Sequence, residues 1–265
     1  MKQQIIDHVK QLFHKNKIKG FLAPRQEGEH VGPFLFRDPM DLEQISITET
    51  VRYPMVKILM RLQRLHPGEA LGVMVRGCEE RAIHKLIRAS QIDKNKIVLV
   101  GLPCSEELAK RCGCLKPYPD SLIGDFKPET PVEPKLVTAT PKNFIKDLEF
   151  LYENFERCIK CYGCRNICPL CFCRECTLEE ETFISKTATP PPPNPDFLLT
   201  RAIHMVDFCV YCGLCEEACP AHIPLRTVYK IVANIISEYQ GYLIQGILNG
   251  GGGPTAPSTA AEASA

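Results

Sequence analysis

A chain of 265 residues with 32 basic and 31 acidic side chains has room for two small domains and carries no net field to draw nucleic acid or an anionic membrane surface. No uncharged apolar run approaches the roughly 20 residues that a membrane-spanning helix needs, so the expectation is a cytoplasmic protein with no direct membrane insertion. Fifteen cysteines in a chain that is neither small nor led by a secretion signal point to metal ligation rather than to a disulfide scaffold.

The opening MKQQIIDHVKQLFHKNK places Ile5, Ile6, Val9, Leu12 and Phe13 on one stripe among lysines, the pattern of an amphipathic helix. Further on, residues 51–66 read as a helix, 71–75 as a buried strand, 79–89 as a helix, 96–101 as a second buried strand and 105–111 as a helix. Strand and helix in alternation favour a small α/β domain with parallel strands, whose loops at the strand C-termini are the usual place for function. Cys78 and Cys104 fall in these loops, each after a strand and before a helix, where a thiolate gains from the helix dipole and free amides. Cys112 and Cys114 in RCGCLKP receive no role.

Residues 117–141 contain six prolines and few periodic apolar positions, which predicts a linker. Four cysteines precede it and eleven lie between Cys158 and Cys219, so the cysteines themselves mark a second domain.

Two runs in that domain share one spacing, C-x2-C-x2-C-x3-C-P: Cys158, Cys161, Cys164 and Cys168 before Pro169, then Cys209, Cys212, Cys215 and Cys219 before Pro220. A [4Fe-4S] cube takes four thiolates, and a short loop can deliver three of them when successive cysteines are about three residues apart. In a two-cluster arrangement the fourth cysteine of each run crosses over. Cys158, Cys161, Cys164 and Cys219 are therefore expected to hold one cube, and Cys209, Cys212, Cys215 and Cys168 the other. Each crossing cysteine is expected at the start of a helix leading away. Gly163 and Gly213 let backbone amides approach the cluster sulfurs. Structural zinc, which takes four ligands as two separated pairs, fits the runs less well.

This segment resembles bacterial-type two-cluster ferredoxins, with an insertion at 170–200 that carries Cys171, Cys173 and Cys176. Those three are candidate ligands of a third [4Fe-4S] cluster, completed by Cys78 or Cys104; buried thiols are the alternative. Within the insertion, PPPPNP at 190–195 predicts an extended arm. After Pro220, residues 223–238 have helical periodicity, and residues 241–265 form a low-complexity tail that lacks the apolar surface to order itself. His84, His204 and His222 receive no acid–base role.

In the N-terminal half, the turns VRGCEERAIHKL and VGLPCSEEL, with Gly101, Pro103 and Cys104 as a G-x-P-C turn, look like the β subunits of coenzyme F420-reducing hydrogenases and F420-dependent formate dehydrogenases. The resemblance spans about residues 60–225. It implies a flavin-containing subunit, FAD being the candidate, that passes electrons between iron–sulfur clusters and a deazaflavin or similar carrier. No residue is assigned to the flavin.

The expected fold is α+β: residues 1–145 as a small α/β domain, 146–240 as a ferredoxin-like two-[4Fe-4S] domain, and 241–265 as a tail. The expected function is that of an electron-transfer iron–sulfur subunit, working with other subunits of a hydrogenase, formate dehydrogenase or heterodisulfide-reductase-like complex, with the catalytic chemistry on a partner. The alternative is a self-contained iron–sulfur flavoenzyme that reduces a deazaflavin or similar two-electron carrier.

Overall fold

In the computed structural model, which describes residues 1–49, 51–114, 116–123, 144–180, 182, 184 and 195–240, the chain opens with the expected amphipathic helix, α1 (Lys2–His14). Ile5, Ile6 and Val9 are buried from it. Next comes a hairpin that the strand–helix alternation did not anticipate. Strands β1 (Gly20–Glu27) and β2 (His30–Phe36) are antiparallel and turn at Gly28, whose φ of 59° suits a residue without a side chain. Pro24 and Pro33 face each other across this pair, and prolines in a run argue against a central strand. Yet β1 is central. It tolerates Pro24 because its other edge is paired only over Gly20–Leu22, before the proline.

The expected helices and strands then follow as α2 (Met55–Leu65), β3 (Leu71–Val75), α3 (Gly77–Arg88), β4 (Ile97–Gly101) and α4 (Glu106–Cys112). The sheet order is β2-β1-β3-β4, with β1, β3 and β4 mutually parallel. Alternation along the strands sends Phe21, Ala23, Met74 and Val100 to the α1 face, and Leu22, Leu71, Val73 and Val75 to the face covered by α2 and α3.

The cysteine-rich half is built on helices: α5 (Phe144–Glu156), α6 (Gly163–Ile167), α7 (Pro195–Met205), α8 (Leu214–Glu217) and α9 (Leu225–Gln240). The 223–238 helix is α9. Helix α7 begins on Pro195, a favoured first position because proline has no N–H to leave unpaired. The rest of the proline tract, most of the linker and the 241–265 tail lie outside the described residues. Leu151 and Phe155 of α5, Phe197 and Ala202 of α7, and Val228 and Tyr229 of α9 join the same hydrophobic core as α2 and α3. The α/β layer and the cysteine-rich layer thus share apolar interior.

The start of the expected linker is packed rather than loose. Gly101 N donates to Ser121 O at 2.8 Å, Cys104 N to Pro117 O at 2.8 Å, and Leu122 forms a parallel bridge with Gly101. Prolines offer carbonyls, and the edge strand β4 has donors to spare. The carboxylate of Glu80, buried on α3, accepts from the backbone N–H groups of Asp120 and Ser121 and fixes the segment from the other side. A Cβ on Gly101 would lie 2.4 Å from Ser121 O and 2.5 Å from Ser121 C, both backbone atoms. Gly101→Ala should therefore destabilise the fold by about 1–3 kcal/mol, whereas Gly68→Ala, with open space around its Cβ, should stay near wild type. Urea midpoints of the two variants check this.

Candidate metal centre

The two cysteine loops fold alike. In the first, Lys160 and Tyr162 have φ of 52° and 61°; at the equivalent positions of the second, Tyr211 and Gly213 have φ of 52° and 80°. Three of these four are not glycines, and each left-handed residue of that kind stores on the order of 1–3 kcal/mol of strain that its surroundings must offset. Tyr162 is held by its hydroxyl, which donates to Leu178 O at 2.5 Å, and by edge-on contact with Phe197 at 5.1 Å. The glycines divide their work: Gly213 supplies the left-handed turn, while Gly163 supplies space. A Cβ on Gly163 would come within 2.9 Å of Ala218 O and 3.4 Å of Cys161 Sγ. Residue 218 belongs to the other loop, so the loops touch backbone to backbone at Gly163.

That contact sets which thiols are neighbours. Burial, opposed by a hydrogen bond from the Lys160 backbone, pushes the Cys158 thiol to about 11, and Cys164, Cys161 and Cys219 raise it further. Burial likewise raises Cys164, with Cys161 and Cys219 adding to the effect. One group is thus Cys158, Cys161, Cys164 and Cys219. Burial lifts Cys212 well above the ordinary thiol range, and Cys215 and Cys209 add to it. Cys168 is lowered chiefly by a hydrogen bond from Cys171, with Cys212 acting the other way, and Cys215 is raised by burial and by both Cys209 and Cys164, so thiols of the two loops lie close to one another. Among the described residues no three His, Cys, Asp or Glu side chains converge as the ligands of a single ion do.

The crossing cysteines do not open helices. Cys168 closes the short α6 and Cys219 follows α8, each at a chain reversal before its proline. The reversal, not a departing helix, carries each thiol away from its own loop.

Of the CFCREC cysteines, Cys171 gives a hydrogen bond to Cys168, which lowers the Cys168 pKa and raises that of Cys171. Cys176 lies near Tyr162 and Cys173 is exposed. Cys78 and Cys104 lie on the α/β side: Cys78 faces Cys212 and Cys114, and Cys104 faces Cys78 and Cys114. The groups acting most on Cys78 are Glu79, Arg81 and Cys114, and those acting most on Cys104 are Arg76, Cys78 and Cys114.

Two arginines that the spacing could not reveal complete the site. Arg201 of α7 is 3% exposed; its Nη1 lies 2.6 Å from Cys171 Sγ and its Nη2 donates to Cys164 O at 3.1 Å. Burial works against its charge, but the Tyr229 hydroxyl and the Cys168, Cys171 and Cys164 thiols more than compensate, so the guanidinium stays charged between the two thiol groups. Arg52, whose side chain is 9% exposed, donates from Nη1 to Cys212 O at 2.8 Å and pairs with Glu217. It ties the segment before α2 to the second cysteine loop.

The 4Fe-4S binding domain family matches residues 202–224, the second loop and its flanks. The class is therefore that of iron–sulfur proteins with a 4Fe-4S binding domain inside a mixed α/β fold. Among characterised proteins, the chain is similar to an F420-dependent formate dehydrogenase subunit beta of Methanocaldococcus jannaschii, 40% identical over 119 residues, and to an F420-dependent formate dehydrogenase 1 subunit beta of Methanococcus maripaludis, 41% identical over 88 residues. These matches cover 42% and 33% of this chain, and 31% and 22% of the relatives. These relatives are of the kind that the sequence resemblance named, F420-dependent formate dehydrogenase β subunits, and the likeness is to part of their length. It spans about a third or less of those relatives' length.

A positive charge between two electron-accepting centres favours their reduced states. A unit charge roughly 7 Å away at an effective dielectric of about 20 is worth about 2–3 kcal/mol, or on the order of 100 mV for one electron. Arg201→Met should lower the midpoint potentials by that order and Arg201→Lys by much less, read by redox titration with EPR detection. Equal shifts in both variants would assign Arg201 to packing alone.

Proposed function

We propose that this chain is an electron-transfer subunit of a multi-subunit oxidoreductase of the hydrogenase, formate dehydrogenase or heterodisulfide-reductase type, working in the cytoplasm of an anaerobe. It would hold two [4Fe-4S] clusters, one by Cys158, Cys161, Cys164 and Cys219 and the other by Cys209, Cys212, Cys215 and Cys168. The observation that supports this reading is the meeting of the two loops at Gly163 and Ala218, with Cys219 acting on Cys158 and Cys164 and Cys212 acting on Cys168. When bound, such clusters supply one-electron storage and transfer.

The chain's own residues exclude water and fix charge. Cys164, Cys168, Cys209 and Cys215 are buried, and Arg201 places a cation between the groups. The named activity of the relatives, F420-dependent formate dehydrogenation, supports a redox role and a place beside other subunits. No helix among the described residues is long and apolar enough to cross a membrane, in keeping with assembly through protein contacts. The α/β domain at 1–145 and the ferredoxin-like domain at 146–240 would then be a docking part and a wiring part on a shared core.

Anaerobically purified protein should be brown and should lose about eight irons when Cys161 and Cys212 are both changed to alanine, at four irons per cube. It should co-purify with dehydrogenase- or hydrogenase-like subunits. Retention of all iron in that double variant would sink the ligand assignment. Bound flavin together with turnover of a two-electron acceptor by the isolated chain would move the protein to the flavoenzyme reading.

A further inference from the structure

We infer that Cys78, Cys104, Cys112 and Cys114 form a third thiolate set, at the C-terminal edge of β3 and β4, that holds a further iron–sulfur cluster beside the Cys212 loop. The sheet register delivers the first two. Val75 pairs with Gly101 in parallel strands, Leu102 N donates to Val75 O at 2.8 Å, and each cysteine stands three residues beyond its member of that pair. Cys78 and Cys104 thus leave the sheet side by side at the same level. Each responds to the other or to Cys114.

The segment after β4 returns the other two. Helix α4 ends at Cys112, and Gly113, with φ of 56°, reverses the chain so that Cys114 N donates to Ala109 O at 2.9 Å. Residues 116–121 then fold back over the start of α3. A Cβ on Gly77 would lie 2.7 Å from Lys116 O and 2.5 Å from Tyr118 O, Cys104 N donates to Pro117 O, and Glu80 holds Asp120 and Ser121. None of these constraints is needed for a loose linker; together they hold Cys114 near Cys78, with Cys112 two residues before it and facing Arg52.

The charges around the set match an anionic centre. Arg81 Nη2 lies 3.9 Å from Cys114 Sγ, Arg52 acts on Cys112 and Cys78, and Arg76 acts on Cys104. The Nε of Arg76 is buried and, among the described residues, has no hydrogen-bond partner. Burial pushes Cys78 and Cys104 to about 12, which makes them poor nucleophiles; metal binding would release their protons, as at the motif cysteines. Four thiolates with three guanidiniums around them suit an anionic iron–sulfur cube.

Placement gives the set its role. Arg52, Arg76, Cys78, Pro169 and Cys212 line one cavity, and Cys78 is, after burial, the largest influence on Cys212. A centre on this edge extends the electron path from the ferredoxin-like segment into the α/β layer, and the assignment does not depend on how the motif cysteines are shared.

The test uses the full chain, reconstituted anaerobically with iron and sulfide and analysed for iron, sulfide, zinc and EPR signals. The expected contents are about twelve irons in the wild type and about eight in Cys104→Ser/Cys114→Ser with the motif EPR signals kept, at four irons per cube. The Cys171→Ser/Cys173→Ser/Cys176→Ser variant should keep about twelve. About eight irons in the wild type, loss of four irons in the CFCREC variant instead, or one tightly bound zinc lost with Cys104 and Cys114 would each overturn the assignment. If the double variant aggregates, Cys114→Ser alone decides: a new three-iron EPR signal supports the set, and an unchanged spectrum with full iron refutes it. The Cys161/Cys212 variant reports on the motif clusters separately, so the two readings fail independently.

Discussion

The backbone contact between Gly163 and Ala218 is the constraint on which the rest of the structure turns. It brings two cysteine loops of the same left-handed design face to face, so that Cys219 acts on Cys158 and Cys212 acts on Cys168. Any residue larger than glycine at 163 would hold the loops apart at their closest point. Crowding so many acidic groups into an apolar interior would be prohibitive without a compensating cation. Arg201 meets that need from α7, inside the insertion that separates the two runs, which gives the insertion a physical purpose beyond spacing.

The second organising feature is the shared core. The apolar face of α2 and α3 that covers the sheet is continuous with α5, α7 and α9, so the cysteine-rich layer leans on the α/β layer rather than hanging from a linker. Polar ties reinforce this: Arg52 to Cys212 O and Glu217, Lys57 Nζ to Asn166 O at 2.8 Å, and Arg226 to Glu216 beside Cys112 O. Each joins the α/β side to a cysteine loop or its flank. Electron transfer depends steeply on distance, and a rigid shared interior holds redox centres at fixed separation better than two independent domains would.

Much of this was legible in the chain. The spacing of Cys209 to Cys219 carried the 4Fe-4S chemistry, because ligand geometry forces the spacing. The α1 stripe and the β3-α3-β4 alternation were equally plain, since burial on one or both faces writes a period into the sequence. The β1–β2 hairpin was hidden by Pro24 and Pro33, whose local penalty is avoided by a one-residue detail of pairing on the β3 side. Arg201 and Glu80 were invisible for another reason: a single charged residue on a helix reads as surface until the fold buries it, and neither sits at a spacing that marks a motif. The packing of residues 117–122 escaped notice because prolines signal irregular backbone, which can be tightly bound through its carbonyls.

The arrangement also bears on where the chemistry of a larger assembly belongs. Arg52 and Arg81 face the thiols from the α/β side, Arg201 faces them from α7, and the loop after β3 shares a cavity with the Cys212 loop. An α/β layer so disposed uses the end of its sheet, the usual ligand-binding place in parallel folds, to support redox centres. The polar interior between the two layers is thus occupied by thiols and the arginines that face them.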